Sequence, residues 1–393
     1  MDGLLCGLDR LLTDGGSLAH RPFGLLSHAA SVDLDRQPIL SALEDRLSAR
    51  PSALFAPEHG FFGAEQDMVP ATEARLSASG PPIRSLYGSS AGSLRPAADA
   101  FADLDLLVVD LVDVGARYYT FAATAAWATE VALQQGVEVW ILDRPNPLGG
   151  TAVEGNCRKP GFESFVGAFP IPVRHGLTLA ELVLLEAKRS DWNTDGLRIF
   201  KVQGWHRQVP TDGEGWCWRS PSPNIPTLET AWVYPGSCLF EGSMLSEGRG
   251  TTRPFELIGG PAVDGDEVAR RMNTRSLPGV VYLPTRFRPQ FQKHAGEVCS
   301  GVEILVTDRS AFAPFRAGVE LLQCFLEVDP GAFKWRTEVY EFVADRPAID
   351  LLSGSDELRL ALDAGTGPSD WLESWRHDEA EFLGEREEIL LYR

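Results

Sequence analysis

The chain has no apolar run near the ~20 residues that cross a bilayer, no C-x-x-C pair among its six cysteines and no H-x-x-x-H pair among its seven histidines. The first absence argues against a membrane-spanning helix. The cysteines (Cys6, Cys157, Cys217, Cys238, Cys299 and Cys324) are too scattered for a disulfide framework or a zinc site, and read as reduced structural thiols. Positive charge is also scarce. With 36 Lys and Arg against 55 Asp and Glu, the net charge is −19. Nucleic-acid binding, which needs clustered cations on phosphates, is disfavoured, as is general attraction to anionic membranes. Local arginines remain able to hold an anionic substrate. The opening stretch "MDGLLCGLDRLLTDGG" has an acid at position 2 and no sustained apolar block. It does not read as a signal peptide, and the expectation is a cytoplasmic protein.

Nucleotide motifs are missing as well. No G-x-G-x-x-G follows the first apolar strand and no Walker A loop occurs. Internal repeats and low-complexity tracts are absent. What is present is a chain of 393 residues, 44% hydrophobic and 23% charged, long enough for two globular domains.

Short apolar runs alternate with amphipathic stretches through the first two thirds. "FGLLS", "SALFAP", "IRSLY", "LDLLVVD", "VEVWILD" and "LRIF" read as strands. "QPILSALEDRLSA", "ATAAWATEVALQQG" and "LTLAELVLLEAKRS" read as helices, the last with Thr178 as N-cap and Glu181 three residues on, a capping-box spacing. Continuous apolar strands separated by helices predict an α/β domain, a mostly parallel sheet covered on both faces. Residues 206–256, rich in Pro, Gly, Ser and aromatics, read as a long wrapping loop that completes a first domain over 1–256. A smaller α+β domain is expected over 257–393, ending in an amphipathic helix at "FLGEREEILLY".

In parallel sheets ligands bind beyond the carboxyl ends of the strands, and this chain delivers acids there. "ALFAPEHGFFG" ends a core strand at Pro57 and sets Glu58 and His59 at its rim. Apolar flanks would desolvate Glu58 and raise its pKa, as suits a general acid in glycoside hydrolysis. The alternative is a solvated turn. Asp110, Asp113 and Asp143 lie at or just past other strand ends. "DRPNPLGG" places Asp143 and Asn146 where they bond sugar hydroxyls or organise a Pro-rich turn. "SEGRGTTRPFE" brings Glu247, Arg249 and Arg253 together, suited to capturing a carboxylate or phosphate, or to stapling a domain boundary. One G-x-S-x-G match, "GSSAG" around Ser90, raises a serine esterase with Asp143 and His175 as later partners, although no helix follows it at once.

Taken together, "APEHGFFG", "SLYG", "VVDLVDVGARYYT", "ILDRPNPLGG", "VEG", "RHGLTLAEL", "PSPNIPT", "YPGSCLFEGSMLSEGRGTTRPFE" and the terminal "LLY" resemble the NamZ-type exo-β-N-acetylmuramidases, collinearly over nearly the whole chain. The resemblance implies a Rossmann-like domain followed by a smaller one, with a cleft between them. It implies release of N-acetylmuramic acid from non-reducing ends of peptidoglycan fragments, without a nucleotide cofactor or metal. It places the catalytic acid on Glu58, beside His59. It also brings in Arg117 and Tyr119 next to Asp113, Asn224 of "PSPNIPT", and Glu247 with Arg249. Phe62 departs from the small or basic residue usual before that glycine. Relatives that attack wall fragments are commonly exported, which sits against the cytoplasmic expectation.

The implied substrate carries a lactyl carboxylate, for which Arg117 and Arg249 are the candidate partners. It also carries a 2-acetamido group, whose oxygen can attack the anomeric carbon with a carboxylate such as Asp113 orienting it. Direct participation of Glu247 or Asp113 is the alternative. A non-catalytic muropeptide-binding protein is the remaining reading.

Overall fold

The structure is a computed structural model, and it describes residues 3–14, 17–66, 69, 74–75, 80–208, 218–331, 333–366 and 369–393. Cys217 and part of the expected loop lie outside the described residues. The first unit is built on β1 (Phe23–Ser27), β2 (Ala53–Ala56), β3 (Ala74–Arg75), β4 (Pro82–Ser85), β5 (Leu106–Asp110), β6 (Glu138–Leu142) and β7 (Leu197–Phe200). Their order is β3-β4-β2-β1-β5-β6-β7. Six of them run parallel, and only the short β3 is antiparallel to its neighbour.

Side-chain alternation explains the apolar runs. Leu106 and Val108 of β5 face α1 (Gly7–Asp14) and α2 (Ile39–Leu47), while Leu107 and Val109 face α3 (Phe121–Gln134) and α4 (Leu179–Arg189). A strand buried on both faces has no polar side to show. Chain order reverses direction between β1 and β5, so the crevice at their carboxyl ends is the topological switch point. The capping box of α4 forms as expected: Glu181 N–H donates to the Thr178 hydroxyl at 3.3 Å and Thr178 N–H donates to the Glu181 carboxylate at 2.9 Å.

Two expectations need correction. The stretch 206–256 is not one loop, because α5 (Leu228–Ser237) and a short 3-10 turn (Cys238–Gly242) lie within it. Its apolar residues pack rather than wrap. Gly236 of α5 lies so close to Gly318 of α7 (Pro314–Val328) that a Cβ on Gly318 would come 2.4 Å from the Gly236 Cα. The expected final helix is also shorter. After α6 (Gly265–Arg275), α8 (Ala348–Ser353) and α9 (Glu357–Asp363), α10 spans Ser369–Arg386. Beyond it the chain is held by tertiary bonds, with Leu391 N–H on Glu181 at 2.8 Å and Tyr392 Oη on Asp143 at 2.5 Å.

The second unit carries an antiparallel sheet of β8 (Leu257–Gly260), β9 (Val280–Phe287) and β10 (Cys299–Val306), in the order β8-β10-β9. One continuous cluster of buried apolar side chains runs from Leu26 and Phe55 through α5 and α7 to Trp375 of α10. No helix among the described residues is long and apolar enough to cross a membrane.

Candidate active site

β2 delivers Glu58 to the carboxyl edge of the sheet. Pro57 ends the ladder, and the chain then turns through left-handed geometry, with φ of +70° at His59 and +76° at Gly60. Glu58 is only 5% exposed. Its Oε2 accepts a 2.7 Å hydrogen bond from the Thr120 hydroxyl. Thr120 stands at the start of α3, where a threonine ordinarily caps the helix's own amides. Here it makes no capping bond and turns to Glu58 instead. The end of the helix dipole at that point favours a carboxylate. His59 Nδ1 lies 3.0 Å from the Glu65 carbonyl, so Nδ1 carries a proton and donates it there. Behind it, His28 Nε2 accepts the Val112 N–H at 3.0 Å. Burial, then Arg144 and His59, push the His28 imidazole down to about 3, so it stays neutral.

The segment 111–120 follows β5 at the switch point and divides into two layers. Tyr118, Tyr119 and Thr120 line the same pocket as Glu58 and His59. Asp113 does not line it. Its Oδ1 accepts the Gly115 N–H at 2.6 Å, while its buried Oδ2 has no partner among the described residues. Burial pushes this carboxyl up to about 7. The buried Tyr119 hydroxyl also lacks a hydrogen-bond partner among the described residues. Burial, then the charges of Asp113 and Glu58, push its phenol well up.

The facing elements come from α5 and the residues after it. Tyr234, Glu241, Arg249, Phe255, Tyr340 and Glu341 line the pocket, as do Ser222 and Asn224. Tyr234 stands edge-on to Tyr119 and Phe255, with ring centroids 6.1 and 4.8 Å apart. Arg249 lies between two acids, 2.7 Å from Glu241 and 3.4 Å from Glu247, with its guanidinium 5.0 Å over the Phe255 ring. The Tyr340 hydroxyl donates to the other Glu241 oxygen at 2.6 Å. Burial alone would raise the Glu241 carboxyl, but Arg249, Tyr340 and Lys293 hold it below its ordinary value. Glu247 sits behind Arg249 and takes Lys293 at 2.8 Å. Asn224 Nδ2 donates to Gln66 at 2.9 Å. Left-handed backbone gathers here: Phe255 (φ +63°) and Glu341 (+46°) line the pocket together with His59. Each such residue costs on the order of 1–3 kcal/mol, a load typical of functional sites.

Three residues expected at the substrate are elsewhere. Arg117 spends its guanidinium on the carbonyls of Asn156, Ile171 and Leu352, at 2.6, 2.9 and 2.9 Å. Asp143 accepts from Thr178 at 2.7 Å, from Ala180 N–H at 3.1 Å and from Tyr392, fixing the start of α4. Asn146 donates to the Leu177 carbonyl and accepts from Leu148 N–H, both at 2.9 Å, and shapes the Pro-rich turn. All three side chains are buried by these bonds and none lines the pocket. Ser90 is exposed in a short 3-10 region outside the pocket, without the strand-turn-helix of a nucleophile elbow.

Sequence reasoning missed Thr120, Glu241, Lys293, Tyr340 and Glu341. Glu241 had a signal, since it lies six positions before Glu247 in the same unusual stretch. Thr120 had one too, as the last residue of "VVDLVDVGARYYT", directly after Tyr119. Lys293, Tyr340 and Glu341 reach the site through tertiary packing and carry no local pattern.

The molecule is thus a parallel α/β protein with a buried carboxylate beside its switch point, faced by elements of a second, antiparallel unit. Two solved DUF1343-family proteins from Bacteroides fragilis NCTC 9343 share this fold. One superposes with a TM-score of 0.87 at 28% identity over 100% of both chains, the other with 0.74 at 25% over 99% of both. Residues 23–229 match the family model of the N-terminal part of exo-β-N-acetylmuramidase NamZ, and residues 232–392 match that of its C-terminal part. The chain belongs to this family. It is 35% identical, over 98% of its length and 91% of the relative's, to the peptidoglycan β-N-acetylmuramidase NamZ of Bacillus subtilis (strain 168).

Proposed function

We propose that this protein is an exo-acting glycoside hydrolase that releases N-acetylmuramic acid from the non-reducing ends of peptidoglycan fragments. The observation that carries the reading is a buried Glu58, hydrogen-bonded and sharing one pocket with Arg249. The Bacillus subtilis relative, named a peptidoglycan β-N-acetylmuramidase, supports the substrate class.

Glu58 acts as general acid and then base. It protonates the leaving glycosidic oxygen while the substrate's acetamide oxygen attacks the anomeric carbon. It then takes a proton from the water that opens the cyclic intermediate. Arg249 reads the lactyl carboxylate. His59 Nε2 and Asn224 bond sugar hydroxyls. The Tyr119 hydroxyl orients the acetamide, with Asp113 as the acid behind it. Glu247 steadies Arg249 rather than meeting the reacting atoms.

Release of 4-nitrophenol from the β-glycosides of N-acetylmuramic acid and N-acetylglucosamine, run side by side, tests this. Turnover of the muramic compound alone is expected. Turnover of neither, with saturable binding of N-acetylmuramic acid by calorimetry, would instead favour a binding protein.

A further inference from the structure

Lys293 lies in the β9–β10 hairpin, outside every element that lines the pocket. Its ammonium nevertheless has four acceptors there: the Phe240, Glu241 and Leu245 carbonyls at 3.0, 3.4 and 3.2 Å, and the Glu247 carboxylate at 2.8 Å. Its side chain is 13% exposed. Gln290 N–H donates to the Gly250 carbonyl at 2.9 Å, so the hairpin grips the Arg249 loop on its other side too.

Both acids that flank Arg249 are therefore tied to one ammonium, Glu241 through its backbone and Glu247 through its side chain. Within this group of four side chains the charges balance, Glu341 on the adjoining wall standing outside the count. Glu241 and Glu247 supply two negative charges, Arg249 and Lys293 two positive ones. Without Lys293 this cluster carries a net negative charge, and among the described residues Arg249 is the ion-pair partner left to Glu247. An anionic ligand meeting Arg249 would then face an uncompensated carboxylate.

We infer that Lys293 is a positioning residue that sets the preference of the Arg249 end of the pocket for an anionic substituent. The inference rests on the proposed function, in which that substituent is the lactyl carboxylate. It assigns Lys293 no contact with substrate: it acts through Glu241, Glu247 and Arg249.

The test compares the 4-nitrophenyl β-glycoside of N-acetylmuramic acid with its lactyl methyl ester, which removes the charge and adds one methyl group. In Lys293→Met, KM for the acid rises about tenfold, a change of roughly 1.4 kcal/mol. KM for the ester and kcat for both stay within about twofold. Lys293→Arg keeps the charge and most of the preference. Glu247→Gln introduced into Lys293→Met restores neutrality and recovers affinity for the acid. A merely structural staple would instead lose acid and ester equally and would not be rescued by the charge-balancing change. That result, or an unchanged acid-to-ester ratio in Lys293→Met, overturns the inference. If Lys293→Met does not fold, Glu247→Gln alone decides: the added positive charge shifts the ratio toward the acid, and no shift overturns it. A wild-type protein that turns over neither glycoside overturns the proposed function, and this inference with it. Wild-type turnover with an unmoved ratio overturns the inference alone.

Discussion

The Thr120 hydroxyl lies 2.7 Å from Glu58 Oε2, although 62 residues separate them in the chain. A helix gives up a cap so that a strand-end carboxylate can be held in place. If Glu58 moves the proton, Glu58→Gln lowers kcat by two or more orders of magnitude. Thr120→Val keeps the shape, loses the donor and lowers kcat roughly tenfold. Steady-state kinetics with a peptidoglycan-derived disaccharide, whose leaving sugar oxygen needs the proton, check both, with circular dichroism to verify folding. A Glu58→Gln protein with near-wild-type turnover would remove Glu58 from the mechanism.

Asp113 makes stability depend on pH. Burial raises its carboxyl from 3.8 to about 7. Between those values the unfolded chain has lost the proton and the native one retains it, so stability falls as pH climbs, then levels off. Asp113→Asn removes this slope. Thermal denaturation from pH 4 to 9 is expected to show the variant gaining on the wild type up to about pH 7, by on the order of a few kcal/mol, with a constant gap above. A gap independent of pH would mean that the native Asp113 titrates as an ordinary acid.

Tyr392 donates to Asp143 and accepts the Val202 N–H at 2.9 Å. Tyr392→Phe leaves both buried groups short of a partner and costs about 1–3 kcal/mol. Urea denaturation measures that loss, while kcat/KM is expected to hold, because this cluster faces away from the pocket. A fall in kcat/KM without a loss of stability would put Asp143 back at the substrate.

The sheet was legible because strands buried on both faces leave apolar runs that little else produces, as in "LDLLVVD". The place of Glu58 in the pocket was legible because a proline, an acid and a histidine directly after such a run mark a strand end at the rim of the sheet. Arg117, Asp143 and Asn146 misled for a shared reason. Residues that organise a turn beside a site sit at the same strand ends as residues that line it, and only the direction of the side chain separates them. The carbonyls that consume Arg117 come from segments up to 235 residues away, which no local pattern reports. The helical periodicity of "EEILLY" was real, but bonds to Glu181 and Asp143 outweigh propensity there.

Those same bonds bear on how the protein is made. The amide of Val202, just past β7, finds its acceptor in Tyr392, 190 residues later. A ribosome that has finished the parallel sheet must therefore translate the whole second unit before that edge is sealed. Until then, the newborn first unit exposes Trp205 and Val202, whose partners include Tyr392. For most of synthesis it presents an unsealed apolar edge, the kind of surface that chaperones bind.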